Sequence, residues 1–237
     1  MKDFTRTGFI REMETLMSPK FSAFALLLTL IAGPSLHLAV AQAAPAPQRM
    51  IYSVHHSRYG NIGTYSNAVD KTGDMTTVTT DAHIQVSLLG IVLYRQDAQR
   101  QERWSGNRLV AFHGVTTVNG KAMEMTGAAQ GDQFIMMGPE GDIIAPASVK
   151  LANPWSSEVL RGTTLLTPDR GRMEDVEVKG GEETMVAVNG KQTRAKRYEI
   201  DRLDGQKRYE VWLDGSGTPV MFTTYNPNGT VTFTLNG

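Results

Sequence analysis

The stretch Asn228-Gly229-Thr230-Val231-Thr232-Phe233-Thr234-Leu235 decides the class of fold. Val231, Phe233 and Leu235 alternate with Thr230, Thr232 and Thr234, and a period of two places the apolar side chains on one face of a strand and the hydroxyls on the other. The preceding Asn-Gly favours a two-residue hairpin turn, because a type I′ turn needs positive φ at both central positions. The same grammar recurs upstream. Val176 and Val178 alternate with Glu177 and Lys179, while Asn119-Gly120 and Asn189-Gly190 separate strand-like runs. Asp204-Gly205 and Asp214-Gly215 add two further turn signals.

Outward from that stretch, the chain from Met50 on divides into strands over 50–58, 62–70, 73–88, 91–104, 107–118, 121–130, 132–138, 141–145, 173–179, 183–189, 192–201, 206–213, 218–225 and 230–236. One segment breaks the pattern. Asn153 followed by Pro154-Trp155-Ser156-Ser157-Glu158 offers an N-cap and a proline at the first helical position, which predicts a short helix over 154–161. Consecutive antiparallel strands with tight turns predict an all-β domain over 50–237, a single antiparallel meander curled into an open or half β-barrel with one short helix. Open sheets of more than about ten strands curl or split. A two-sheet sandwich is the alternative. The helix would cap an open end of the barrel or sit in its concavity. Val-Asn-Gly-Lys occurs at both 118–121 and 188–191, but the flanks do not align, so the pair reads as two independent hairpins.

The N-terminal segment reads as an address. Lys20 precedes the apolar run Phe21 to Ile31, Gly33-Pro34 breaks it, and Ala39-Val40-Ala41 and Ala41-Gln42-Ala43 fit the small-residue rule for signal-peptidase cleavage. The run is short for a bilayer span. The expectation is a signal peptide over 1–43 with cleavage near Ala43, an extended N-terminus over 44–49, and a periplasmic or secreted mature chain without a transmembrane segment. Asp3, Glu12 and Glu14 are unusual in a signal peptide, so Met17, which begins Met17-Ser18-Pro19-Lys20, is an alternative start.

Composition removes several function classes. The 237 residues carry 24 Lys+Arg against 24 Asp+Glu, which lacks the basic excess of a non-specific nucleic-acid binder. With no cysteine there is no disulfide, thiol catalysis, Cys-ligated zinc or iron–sulfur cluster. His55 and His56 are adjacent on an expected strand and so face opposite ways, and no H-E-x-x-H motif occurs; no metal site is expected. Gly114 to Gly120 ends in Lys121-Ala122, without the hydroxyl of a phosphate loop. Gly215-Ser216-Gly217 returns to a strand rather than entering a helix, so it reads as a turn and not as a nucleophile elbow. No cofactor and no catalytic residue is expected.

The binding candidates are apolar and aromatic. Trp104, Trp155 and Trp212 are core anchors first and ligand-stacking residues second, with Trp155 foremost because it lies on the irregular segment. Met123 and Met125 share one face of a strand, where thioethers suit either a core or an adaptable apolar pocket. The interval 191–210 is rich in Lys and Arg mixed with acids, which suits a solvated face with cross-strand pairs, or a surface for anionic lipid.

The succession Trp104-Ser105-Gly106-Asn107-Arg108-Leu109, Thr116-Thr117-Val118-Asn119-Gly120, Pro154-Trp155-Ser156, Tyr209-Glu210-Val211-Trp212-Leu213-Asp214 and Phe222-Thr223-Thr224-Tyr225 with Gly229 resembles a family of exported bacterial proteins known only as a domain of unknown function. The resemblance covers most of residues 50–237 and implies a β-rich fold, loosely similar to the helix-plugged half-barrels of periplasmic lipoprotein carriers. The chain departs from those carriers in lacking longer helices. It implies no catalytic residues. The expected role is a non-catalytic protein that binds a lipid or other apolar molecule on a curved sheet. The alternative is an envelope interaction or scaffolding module using exposed strand edges, and a hydrolase built from scattered Ser, His and Asp ranks last.

Overall fold

The computed structural model describes residues 46–236. The signal-like run, its cleavage site near Ala43 and the alternative start at Met17 lie outside the described residues. Fifteen strands follow in sequence: β1 (Gln48–His56), β2 (Gly60–Thr72), β3 (Met75–Leu88), β4 (Ile91–Ser105), β5 (Arg108–Val118), β6 (Lys121–Gln130), β7 (Gln133–Gly138), β8 (Gly141–Pro146), β9 (Lys150–Leu151), β10 (Thr164–Leu166), β11 (Met173–Val188), β12 (Lys191–Arg202), β13 (Lys207–Leu213), β14 (Pro219–Asn226) and β15 (Gly229–Asn236). They form one sheet, ordered β8-β7-β6-β5-β4-β3-β2-β1-β15-β14-β13-β12-β11-β10-β9.

That order dictates the shape. β8 and β9 stand at opposite ends of the sheet, yet only residues 147–149 join them along the chain. Flat, the sheet would hold its two edges about 67 Å apart at about 4.8 Å per strand. The link from Pro146 to Lys150 spans at most about 14 Å. The sheet therefore wraps on itself until its edges approach, and the result is an open barrel whose seam lies between the unpaired edges β8 and β9.

Strand parity fills the interior. Tyr52 and Val54 of β1, Tyr65 and Val69 of β2, Val78 and Ala82 of β3, and Ala98 and Trp104 of β4 are all buried at alternate positions. Phe222 and Phe233 stack at 4.2 Å between centroids, and Tyr65 meets them edge-on at 5.8 and 5.4 Å, the offset and T-shaped geometries that aromatic quadrupoles favour. The chain between β8 and β11, in which the short strands β9 and β10 flank an irregular stretch, completes this core as a plug. Its Val149, Leu151, Asn153, Val159, Leu165 and Leu166 are buried.

The all-β curled meander expected from the sequence is the observed fold, with corrections. β9 and β10 lie in the interval read as strandless, and they pair in parallel; two or three residues are too few to show periodicity. The two strands read at 173–179 and 183–189 are one, β11, bulged between Gly180 and Glu182. β1 begins at Gln48, inside the segment read as an extended N-terminus. The helix expected over 154–161 is a 3-10 turn over Ser157–Arg161 capped by Ser156, whose hydroxyl accepts from the Glu158 N–H at 3.2 Å. Asn153 does not cap it because its side chain is committed inside the barrel. Asn119 and Asn189 adopt the positive φ of a type I′ turn, both at 50°. At Asn228-Gly229, however, the turn residues are Pro227 and Asn228, since Gly229 already pairs with Asn226.

Candidate functional site

A polar knot sits at the centre of the barrel, built from inward positions of three neighbouring strands and two plug residues, Asn153 and Trp155. Glu102 of β4 is fully buried. Its Oε2 accepts from the indole N–H groups of Trp104 (2.9 Å) and Trp155 (3.0 Å), and its Oε1 accepts from the Asn153 side-chain amide (2.5 Å). Asn153 in turn accepts from the Tyr65 hydroxyl (2.6 Å) and the Asn67 amide (3.2 Å), and donates to Thr80 (3.1 Å). Thr80 closes the ring by donating to Asn67 at 2.7 Å. One asparagine of the plug is thereby tied to β2, β3 and β4 at once.

Burial governs the electrostatics of this knot. Loss of solvent pushes the Glu102 carboxyl up to about 7, against the pull of the Asn153, Trp104 and Trp155 donors and the charge of Arg100. Burial likewise holds the Tyr65 phenol far above its ordinary value. Arg100 is buried too, with its Nε unpartnered. The Lys150 ammonium lies 5.2 Å over the Trp104 ring and donates to the Asn107 carbonyl. Both oxygens of Glu102 are occupied by the fold itself, so the knot holds the plug rather than offering an acid to a substrate.

The structure brings Trp104 and Trp155 together and separates them from the other candidates. Their rings stand 6.0 Å apart, both donating to Glu102. Trp212 belongs to a second apolar cluster with Val186, Val188, Ala195 and Val220, under the Arg197 guanidinium at 5.9 Å. Met123 and Met125 line a cavity of about 170 Å³ between β6, the β7–β8 hairpin and the 169–172 loop, with Ile143 beside them. Glu140, Asp142, Asp169, Arg170 and Arg172 rim it. The absence of a side chain at Gly138 and Gly171 makes the room: a Cβ there would lie 2.2 Å from Met125 Sδ and 2.3 Å from Ile143 Cδ1 respectively.

On the outer surface a polar groove of about 380 Å³ crosses β2 to β5, lined by Thr64, Ser66, Asp81, His83, Asp97 and Gln99 among others. His83 Nδ1 is hydrogen-bonded to Asp97, which also accepts from Arg95 at 2.9 Å and is held below the usual carboxylate range by those partners, Arg95 first. Among the described residues no hydroxyl is hydrogen-bonded to His83. Sequence reasoning did not single out this groove or Glu102. The basic interval 191–210 is largely neutralised: Arg197 and Lys207 converge on Glu199 and the buried Glu210, Arg208 meets Glu174 at 2.8 Å, and Arg202 meets Asp204 at 2.9 Å. Asp214 accepts from the N–H groups of Ser216 and Thr218, both at 2.9 Å, which fixes Gly215-Ser216-Gly217 as a turn. The described residues contain no group of three or more His, Asp or Glu able to hold a metal, and no helix long and apolar enough to cross a membrane.

A seamed, plugged, antiparallel barrel with an enclosed polar centre defines a β-barrel-like protein. In agreement, the crystal structure of a beta-barrel-like protein of domain of unknown function DUF1849 from Brucella abortus is similar over 81% of this chain and 96% of that one, with a TM-score of 0.60 at 14% identity. A DUF1089 family protein from Pseudomonas aeruginosa is more distant, at 12% identity and a TM-score of 0.35 over 66% of this chain and 87% of that one. No curated protein matches the chain. The chain belongs to the family of the domain of unknown function DUF6134, whose sequence model matches residues 52–236.

Proposed function

We propose that this is a non-catalytic protein of the bacterial periplasm that receives the apolar end of a small molecule or lipid in the cavity floored by Met123, Met125 and Ile143. The cavity carries the reading. Its volume of about 170 Å³ is close to that of an engineered apolar cavity, about 150 Å³, that takes up benzene. It is thus sized for a chain end or a ring rather than a whole lipid, and thioethers adapt to either. The mixed acidic and basic rim suits a polar head left in water. The periplasmic assignment rests on the apolar run, the helix-breaking Gly33-Pro34 and the Ala-rich exit of the N-terminal segment.

The reading is tested by native mass spectrometry of protein released gently from cells, followed by titration with dodecanoate while the labelled methionine methyl resonances are followed by NMR. Saturable shifts confined to Met123 and Met125, abolished by Met123→Trp, are expected. Uniform or absent shifts, with a clean apo mass, refute it. A second reading, an envelope interaction module, is favoured by the open edge of β8, beside which Ile144 and Met137 are 57% and 50% exposed; capture of a strand from a partner at that edge is its expected sign.

A further inference from the structure

The β3–β4 hairpin ends in the largest concentration of exposed apolar side chains among the described residues. Leu88, Leu89, Ile91, Val92 and Leu93 are 54%, 94%, 66%, 52% and 51% exposed. Pairing of β3 with β2 stops at Gly63↔Ile84, and pairing of β4 with β5 stops at Gln96↔Val118. The tip therefore leaves the barrel as a free two-stranded ribbon, reaching about 13 Å beyond its last sheet partners. Across the ribbon Leu88 faces Ile91 and Ser87 faces Val92. Apolar groups thus project from both of its sides.

Two further observations select the environment it meets. From Ala82 to Tyr94 there is no Lys, Arg, Asp or Glu, and Tyr94 and Arg95 stand together at the root. Lys121 lies close by, after the turn whose Asn119 N–H donates to the Arg95 carbonyl at 2.9 Å. An apolar tip collared by Tyr94, by Arg95 with its partner Asp97, and by Lys121 matches the gradient from acyl chains to head groups. The turn itself is the second observation. Leu89 adopts a φ of 51°, nearly the 50° of Asn119 and Asn189, and all three precede a glycine. The chain uses asparagine at the two other described positions where a non-glycine residue adopts this conformation, because asparagine is the cheaper residue there. At 89 it keeps a leucine that is strained by its backbone and 94% exposed, and nothing inside the fold is gained by it.

We infer that the 88–93 ribbon inserts into the surface of a lipid bilayer. A flat protein patch would cover one side of the ribbon and leave the other in water, whereas the acyl region covers both. The ribbon's outer backbone groups are unpaired, so insertion is shallow, with the tip below the head groups and Arg95 among the phosphates.

The test uses the chain from Ala44, which comprises the compact unit of the structure, with vesicles of phosphatidylethanolamine and phosphatidylglycerol in a flotation assay. Wild type is expected to float. Leu89→Asn is expected to bind at least about threefold more weakly while raising the unfolding midpoint, because asparagine relieves the turn; weaker binding by a more stable protein is not a folding defect. Leu89→Asn with Ile91→Asn and Leu93→Asn is expected to lose binding by about a hundredfold. A Leu93→Trp reporter is expected to shift to the blue with vesicles and to be quenched by brominated acyl chains. The proposal is overturned if wild type stays with the vesicle-free fraction, if the triple variant floats equally well, or if the tip instead mediates a dimer that the triple variant abolishes. The methionine methyl shifts in dodecanoate are expected to persist in the triple variant, so that cavity binding and membrane docking stand or fall separately.

Discussion

Replacing Glu102 by glutamine should remove a specific dependence of stability on pH. The folded protein holds the Glu102 carboxyl at about 7, against 4.5 for the unperturbed group. Because the folded-state value is raised, the folded protein binds a proton that the unfolded chain releases between these limits. Its contribution is fully present below about pH 4.5 and is lost as pH rises through about 7. A difference of about 2.5 pH units at about 1.36 kcal/mol each gives a loss of about 3 kcal/mol across that window. Glutamine carries no titrating proton, so the variant should be flat there. It will also turn an amide N–H toward a donor that the carboxylate accepted, at a pH-independent cost of about 1–3 kcal/mol. Urea unfolding of both proteins at intervals across the window provides the assay. The variant should start less stable at the acid end and overtake or match wild type at the alkaline end. Groups with lowered values, such as Glu210 with its Lys207, Tyr225 and Arg197 donors, lose their contributions only below the ordinary carboxylate range, outside the window. A wild-type protein whose stability does not fall between these limits, or a Gln variant that keeps the fall, would refute the reasoning.

Three further outcomes test the same architecture. Asn153→Ala should cost about 3 kcal/mol, since it strands the Tyr65 hydroxyl and one oxygen of Glu102 inside the barrel; hydrogen exchange should show protection lost over 149–167 before the rest of the sheet. Trp155→Phe removes one N–H from Glu102 and should move the pH-dependent fall to higher pH, whereas Trp212→Phe, which lies in the separate cluster, should leave its position unchanged. Gly63→Ala should cost more than about 3 kcal/mol by denaturant titration, because a Cβ there would lie 1.9 Å from the His83 carbonyl oxygen at a φ of 147°. Gly60→Ala, with nothing within 4 Å of its Cβ, should cost about 1–2 kcal/mol for its left-handed φ alone.

Alternation and turn chemistry made the barrel legible, because both are local. The closure of the sheet through β1 and β15 was not, because it depends on which distant strands become neighbours, and no periodicity within either strand announces that partner. The plug was hidden for a different reason. Its residues obey no period, and its fold is set by side chains reaching strands 51 to 88 residues away, as Asn153 does with Glu102 and Tyr65. The knot left a usable trace nonetheless. Glu102 shares its face with Trp104 two residues on, so accepting Trp104 as a core anchor already commits Glu102 to the interior. The same parity argument turns Asn67 inward with Tyr65 and Val69, and Thr80 with Val78 and Ala82. Trp155, singled out because it lies on the irregular segment, spends its indole N–H on Glu102 of β4. Met123 and Met125 met at a cavity that their strand pattern alone could not distinguish from packed core.

The pairing of β1 with β15 bears on the order of assembly. Ser53 donates to Asn236 at 2.8 Å across 183 residues of chain, and Ile51 is in register with the same asparagine. Residues 48–146 and 173–226 can each zip forward hairpin by hairpin, yet within the sheet the two runs are joined only through the eight-residue strand β15. That strand docks in the middle of the sheet rather than at its rim. A ribosome stalled, or a protease cutting, just before Gly229 would leave a gap facing the seam and two half-cylinders hinged at residues 147–149. β15 is thus the keystone of the wall.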